Sequence, residues 1–138
     1  MSALPIVYEI DRSMHMVYAA VGPWTPEAVS TWIAELLRDP EYTPGMRGFL
    51  NLRFTAGPLP DVAMAQRIAD ALRPLTTIPV KSRWAILVAS PSALVRVRVL
   101  ETFTSESYIQ FRVFDNDAAA MTWLGFESPR NPWLKRMK

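Results

Sequence analysis

The chain contains no cysteine among its 138 residues. This absence excludes disulfide bonds, thiolate nucleophiles and cysteine-ligated zinc or iron–sulfur sites. The amino terminus also lacks a basic region followed by a long apolar run, and no stretch approaches the roughly 20 apolar residues that span a bilayer. We therefore expect a cytoplasmic protein with neither a signal peptide nor a transmembrane segment.

Histidine and glycine are scarce. His15 is the only histidine, and no histidine or carboxylate lies at metal-ligand or catalytic-triad spacing from it. The five glycines form neither a G-x-G-x-x-G nor a Walker pattern. Asp115 and Asp117 would suit a carboxylate pair for acid–base chemistry, but their position at a predicted helix start favours capping. We therefore expect no cofactor, no metal site and no catalysis.

The net charge of +2 is concentrated in the last dozen residues, since residues 1–126 hold 11 basic and 12 acidic side chains. A body without a basic stripe is not expected to bind nucleic acid. In the tail, Trp133 combines with Lys135 and Arg136 as in a segment that anchors to a membrane surface or a partner. A solvated terminus is the alternative interpretation.

Half of the 138 residues are apolar, which is enough for a single hydrophobic core. We therefore assign one domain to residues 1–126 and a basic tail to residues 127–138. Two β-rich stretches, 6–12 and 14–22, predict a hairpin that turns at Arg12 and Ser13. Thr25 and Pro26 predict the start of a helix that Asp39 and Pro40 end. Its apolar stripe is expected to contain Val29, Trp32, Ile33 and Leu36.

The rest of the chain alternates strands and helices. Residues 49–54 predict a third strand and residues 60–73 a helix, whose buried side is expected to contain Ala65, Ile68, Ala69 and Leu72. The run 84–89 predicts a strand buried on both faces, and 108–114 predicts the last strand. Asn116 should cap a final helix that Gly125 ends.

Residues 91–104 are ambiguous, because Val95, Val97 and Val99 alternate with arginines as an exposed strand would. We predict a helix here, since Ser90 and Pro91 form a helix-start signal and parallel strands need a crossover. On such a helix Val95, Val99 and Phe103 share one face.

The predicted fold class is α/β, with an N-terminal hairpin, alternating β–α units and a mixed five-stranded sheet. Because strands 49–54 and 108–114 alternate in polarity, we expect the helices mainly on one face of this sheet. The open face supplies a candidate ligand or partner surface of Asn51, Arg53, Thr55, Tyr108 and Arg112. A merely solvated face is the alternative. Arg53 and Arg83 also lie near sheet ends that often line ligand crevices, although surface salt bridges would explain both.

The order of elements, the strings NLRF, WAILVAS and VRVLETF, and the ending FRVFDNDAAAMTWLG resemble the SpoIIAA-like branch of the STAS fold over residues 5–125. This resemblance implies a non-enzymatic domain, since the best-known members are phospho-switched regulators and this branch is suspected of binding apolar ligands or membranes. In those regulators a serine turn follows the third strand. The matching turn here, FTAGPLPDV, has Thr55 as its only hydroxyl, so we expect the switch to be absent.

These observations favour a non-catalytic regulatory or protein-binding module of SpoIIAA-like type. The alternative is a binder of an apolar ligand or a membrane surface, which Met14, Met16, Tyr18 and Trp24 would suit as a soft pocket. Core packing is the competing interpretation for these four residues. Self-association through the open sheet face or an edge strand is a further alternative. The sequence does not identify the partner or ligand.

Overall fold

The fold is given by a computed structural model that describes residues 6–55 and 57–126. Its elements follow the predicted order of a hairpin and alternating helices and strands. The strands are β1 (Ile6–Asp11), β2 (Met16–Val21), β3 (Arg47–Asn51), β4 (Ser82–Leu87) and β5 (Ile109–Phe114). The helices are α1 (Pro26–Arg38), α2 (Val62–Thr76), α3 (Pro91–Val97), α4 (Val99–Phe103) and α5 (Asp117–Trp123).

The five strands form one mixed sheet in the order β1-β2-β3-β4-β5. β1 pairs with β2 in antiparallel orientation, and the three remaining pairs are parallel. Each parallel crossover advances by one strand in the same direction. Since such crossovers are right-handed, their helices must lie on the same face of the sheet.

The first face of the sheet carries the larger core. Val29, Trp32, Ile33 and Leu36 of α1 and Ile68 and Leu72 of α2 are all buried there, as predicted. α3 and α4 add Val97 and Leu100 to the same cluster. The ring of Trp84 on β4 packs at the centre, 5.8 Å from the ring of Trp32 and 6.4 Å from that of Phe111.

Among the described residues, the second face is covered in its middle by α5. Ala120, Met121 and Leu124 pack there on buried side chains of the three central strands, which are Met16, Tyr18, Phe49, Ala85 and Leu87. The helices therefore lie mainly on one face, as predicted. Both edges of the second face stay exposed, with Val7 and Ala20 on one side and Gln110 and Arg112 on the other.

The helix starts follow the capping residues that the sequence contains. The side chains of Thr25, Ser90 and Asn116 each accept a hydrogen bond from the backbone N–H three residues later, as does Asp61 at the start of α2. Each such bond satisfies one of the amides that a helix start leaves without a partner. Asn116 is the N-cap of α5, and Asp117 lies in the first turn, where an acidic charge favours the helix dipole; the helix-start interpretation is confirmed for Asp117.

The predicted bounds of β3 were wrong, because the strand begins at Arg47, two residues before the predicted start, and ends at Asn51, three residues before the predicted end. The side-chain oxygen of Asn51 accepts the N–H of Arg53 at 3.0 Å, and the N–H of Thr55 bonds to the carbonyl of Leu52 at 3.2 Å. These local bonds turn the chain out of the sheet. Arg53 and Thr55 therefore lie in a turn, and the expected polar alternation of this strand is not observed, since Asn51 is buried.

The predicted segment 91–104 is helical up to Phe103, which confirms the choice against a strand, but it forms two short helices that meet at Arg98. The predicted shared face is not the buried one. Val95 is 69% exposed, whereas Val97 and Leu100 face the core.

None of the helices in the described ranges is long and apolar enough to cross a bilayer. The predicted tail, with Trp133, Lys135 and Arg136, lies outside the described residues.

Candidate functional site

A cleft of about 1200 Å³ opens at the amino ends of the parallel strands and continues along the outer side of β5. Its charged lining comprises five cations, which are Arg47, Lys81, Arg83, Arg98 and Arg112, and two carboxylates, Glu101 and Glu106. His15 and the hydroxyl groups of Ser82, Thr104, Ser105, Ser107 and Tyr108 also line it. The cleft is therefore polar and has an excess of positive charge.

The topology of the sheet assembles these cations. Arg47 is the first residue of β3, and Lys81 and Arg83 flank the first residue of β4. Parallel strands begin at the same end of a sheet, so side chains far apart in sequence meet there. Arg112 reaches the cleft from the middle of β5, on the side of the sheet that α5 leaves open.

Arg47 combines structural and electrostatic roles. Its Nη1 donates to the carbonyl of Leu124 at 2.7 Å, and its Nη2 donates to the carbonyl of Met14 at 2.9 Å. The Phe126 ring lies 4.2 Å from its guanidinium carbon. Burial lowers the pKa of Arg47. Since carbonyl groups carry no formal charge, the positive charge of Arg47 is not neutralised by these contacts.

Arg83 makes a weaker contact of the same kind, with Nη1 donating to the Trp123 carbonyl at 3.0 Å and the guanidinium 5.4 Å from the Trp123 ring. The guanidinium of Arg112 lies 5.7 Å from the ring of Phe114. Arg98 approaches Glu101 at 3.9 Å, which is the one ion pair among the described cleft residues. Four of the five cations therefore face the cleft without a carboxylate partner in the described part of the chain.

Glu101 makes a contact of a different kind. Its Oε2 accepts the backbone N–H of Val113 on β5 at 2.7 Å. The Glu101 side chain is 25% exposed and belongs to α4, so one carboxylate reaches from a helix to the edge of the sheet. A hydrogen bond to an ionised acceptor is stronger than one between neutral groups.

His15 closes the hairpin turn with a left-handed backbone, at φ 55°, and its N–H bonds to the carbonyl of Arg12 at 3.3 Å. Its side chain is exposed at the cleft. Within residues 6–55 and 57–126, no group of three His, Cys, Asp or Glu side chains is placed to hold a metal ion. The chemistry that the cleft offers is the binding of anions by cations and hydroxyl groups.

The structure separates the predicted surface residues. Tyr108 and Arg112 line the cleft, whereas Asn51, Arg53 and Thr55 lie at the opposite, carboxyl end of β3. Asn51 is buried, so it is not part of an open surface. The proposed soft pocket is core, since Met16, Tyr18 and Trp24 are all buried.

Five charged cleft residues were missed by the sequence analysis: Arg47, Lys81, Arg98, Glu101 and Glu106. The first two could have been found from their position at strand starts, because parallel strands bring their amino ends together. No sequence signal distinguishes Glu101 from the other exposed acids.

Comparisons of the chain with protein-family models, with curated proteins and with solved structures find no match.

Proposed function

We propose that the protein is a non-catalytic binding module, of the regulatory kind that the SpoIIAA-like resemblance implies, and that its cleft receives an acidic segment of a partner protein. The observation that carries the proposal is the charge of the cleft, with five cations and two carboxylates. An excess of positive charge at a concave surface attracts an acidic partner and excludes a basic one.

Lys81 and Arg112 are the best candidates to contact such a partner. Both are exposed, and neither has a carboxylate partner within the described ranges. Arg47 and Arg83 have their donors directed at the carbonyls of Leu124 and Trp123, so they contribute charge more than new hydrogen bonds. The cleft therefore combines fixed cations with two cations that are free to form ion pairs.

The polar lining does not favour an apolar ligand, because burying cations and hydroxyl groups against apolar surface leaves them without partners. An anionic membrane surface would use the same cations. The size and shape of the cleft favour a peptide over a flat surface, since a concave site encloses a ligand that enters it. A membrane surface is accordingly an outcome that the experiment must distinguish.

The test uses a fluorescein-labelled peptide of alternating Glu and Val, followed by fluorescence anisotropy at low and high salt. We expect saturable binding that weakens as salt rises, because salt screens exposed charges. The double variant K81E/R112E should bind about tenfold more weakly, which corresponds to about 1.4 kcal/mol. The matched control is R38E/R73E, which makes the same change in net charge at two exposed arginines that do not line the cleft.

Equal loss in both double variants would show that only net charge matters and would contradict a site in the cleft. Absence of peptide binding together with retention on phosphatidylserine-containing vesicles would favour the membrane alternative and contradict a protein partner.

A further inference from the structure

β5 is an edge strand in the sheet formed by the described residues. The backbone carbonyls of Tyr108 and Phe114 accept the N–H groups of Ser82 and Val88 on the β4 side, at 3.3 and 2.8 Å. Successive residues of a strand direct their backbone groups to opposite sides. The N–H and C=O groups of Ile109, Phe111 and Val113 therefore point away from the sheet.

Side chains occupy this outer row at two places. The Ser107 hydroxyl donates to the carbonyl of Ile109, and the Glu101 carboxylate accepts the N–H of Val113 at 2.7 Å. Phe111 lies between them, and no hydrogen bond from the described part of the chain caps its outward backbone groups. A row of unpaired backbone groups is a template for another strand.

The cleft follows this same row. Gln110 and Arg112 line it from one side of β5, while Phe111 and α4 line it from the other. A ligand in the cleft therefore contacts both sides of the strand edge, as an extended chain beside β5 would. The cations near this edge, Arg98 and Arg112, complement acidic side chains on that chain.

We propose that the acidic partner segment adds to the sheet as a strand beside β5, and that one of its carbonyls replaces the Glu101 carboxylate on the Val113 N–H. This inference rests on the proposed function, because it specifies how the segment binds in the cleft. Strand addition supplies affinity through backbone hydrogen bonds and specificity through alternate side chains.

The alternation of β5 determines which side chains the segment should carry. Its exposed residues, Gln110 and Arg112, lie on one face, and the buried Phe111 and Val113 lie on the other, next to α4. Alternate side chains of an added strand continue these two faces. Its acidic residues should therefore lie on the same face as Arg112, and its small apolar residues on the same face as Phe111. The peptide of alternating Glu and Val has this pattern.

The mutational test separates the Val113 amide from the charge of the cleft. Glu101→Ala removes a negative charge, the acceptor that occupies the amide and the ion-pair partner of Arg98. Glu106→Ala removes the same charge from the cleft without touching β5 hydrogen bonds. We expect E101A to bind the Glu–Val peptide about tenfold more tightly than E106A does, because the amide is no longer occupied by a charged acceptor.

A conservative variant provides the control for folding. Glu101→Gln keeps an acceptor oxygen for the Val113 N–H but removes the same charge and the same ion pair with Arg98, so E101A should bind the peptide more tightly than E101Q does. A second measurement uses the unchanged protein. Peptides N-methylated at every second residue should lose binding in one methylation register only, and the Phe111 amide should exchange hydrogen more slowly when the unmodified peptide is bound.

Equal affinities of E101A and E101Q, together with equal binding of both N-methylated peptides, would overturn strand addition while leaving an acidic ligand in the cleft. If the wild-type protein bound none of these peptides, the proposed function itself would fail. A dimer of E101A in light scattering without peptide would assign the edge to a second copy of the chain and would also overturn the proposal.

Discussion

The guanidinium group of Arg47 donates to the backbone carbonyl of Leu124, 77 residues further along the chain, at 2.7 Å. Leu124 is the C-cap of α5, where helix carbonyls lack partners within the helix. The second contact of Arg47, with the carbonyl of Met14, lies just before β2. One side chain therefore attaches the helix on the second face to the amino ends of the strands that this helix covers.

Replacement of Arg47 should loosen α5. We expect Arg47→Ala to lower the free energy of unfolding by about 2 kcal/mol, in the range for hydrogen bonds that involve a charged group. Arg47→Lys should recover only part of this loss, because an ammonium cannot reproduce the planar fork of a guanidinium. Urea denaturation measures both values, and hydrogen exchange at α5 amides should increase selectively. Arg38→Ala, at a side chain that is 73% exposed, serves as the control. An unchanged unfolding midpoint in R47A would show that α5 is held by its apolar contacts alone.

Gly48 marks the closest approach between β3 and the central tryptophan. A Cβ atom at this position would overlap the ring of Trp84, which is fully buried and cannot move aside. We therefore expect Gly48→Ala to destabilise the protein by roughly 1–3 kcal/mol through overpacking. Near-ultraviolet circular dichroism, which reports tryptophan packing, should change as well. Ala20→Val, an addition at an exposed strand position, should have little effect on either measurement.

The hydroxyl of Tyr8 on β1 donates to Oδ2 of Asp39 at 2.9 Å and so joins the sheet edge to the end of α1. Burial, followed by this hydrogen bond and the charge of Asp39, raises the pKa of Tyr8 to about 12. Between pH 10 and 12 the unfolded chain loses this proton before the folded chain does. The contribution of Tyr8 to stability is thus complete below pH 10 and is lost as the pH rises towards 12.

Tyr8→Phe should remove this pH dependence. The difference in unfolding free energy between the wild type and Y8F is expected to be constant below pH 10 and to shrink as pH rises above it. Burial also raises the pKa of Tyr42 to about 12, so Y42F is a parallel case without the carboxylate. Denaturation at several pH values gives the difference, and phenolate absorbance follows the titration. If the difference in unfolding free energy between the wild type and Y8F grew above pH 10, the result would contradict a raised pKa of Tyr8 in the folded protein.

Asn51 should be a structural residue and not a ligand contact. Its side chain accepts the N–H of Arg53 at 3.0 Å and donates to the Tyr18 hydroxyl at 3.4 Å. We expect Asn51→Ala to cost about 1–3 kcal/mol, because the part-buried amide of Arg53 loses its acceptor. Binding of the Glu–Val peptide should be unchanged, since Asn51 lies at the opposite end of β3 from the cleft. Weaker peptide binding by a well-folded N51A would show that Asn51 takes part in binding and would contradict a purely structural role.

The fold was more predictable from the sequence than the site was. The reason is that helix caps depend on local sequence. Thr25, Ser90 and Asn116 each accept the backbone N–H three residues later, so each cap can be predicted from four consecutive residues. Predictions that depended on distant neighbours were less accurate. β3 was placed two to three residues late, and the single helix predicted to carry Val95, Val99 and Phe103 on one face is two short helices that meet at Arg98.

The amino-acid sequence by itself determined the order of strands and helices and their capping residues. These properties follow from local hydrogen bonding and from hydrophobic periodicity. Only the tertiary structure decided that Arg47, Lys81 and Arg112 share a cleft, and that Glu101 reaches the edge of β5. The physical reason is that strand pairing sets which distant residues meet, and pairing depends on the whole sheet.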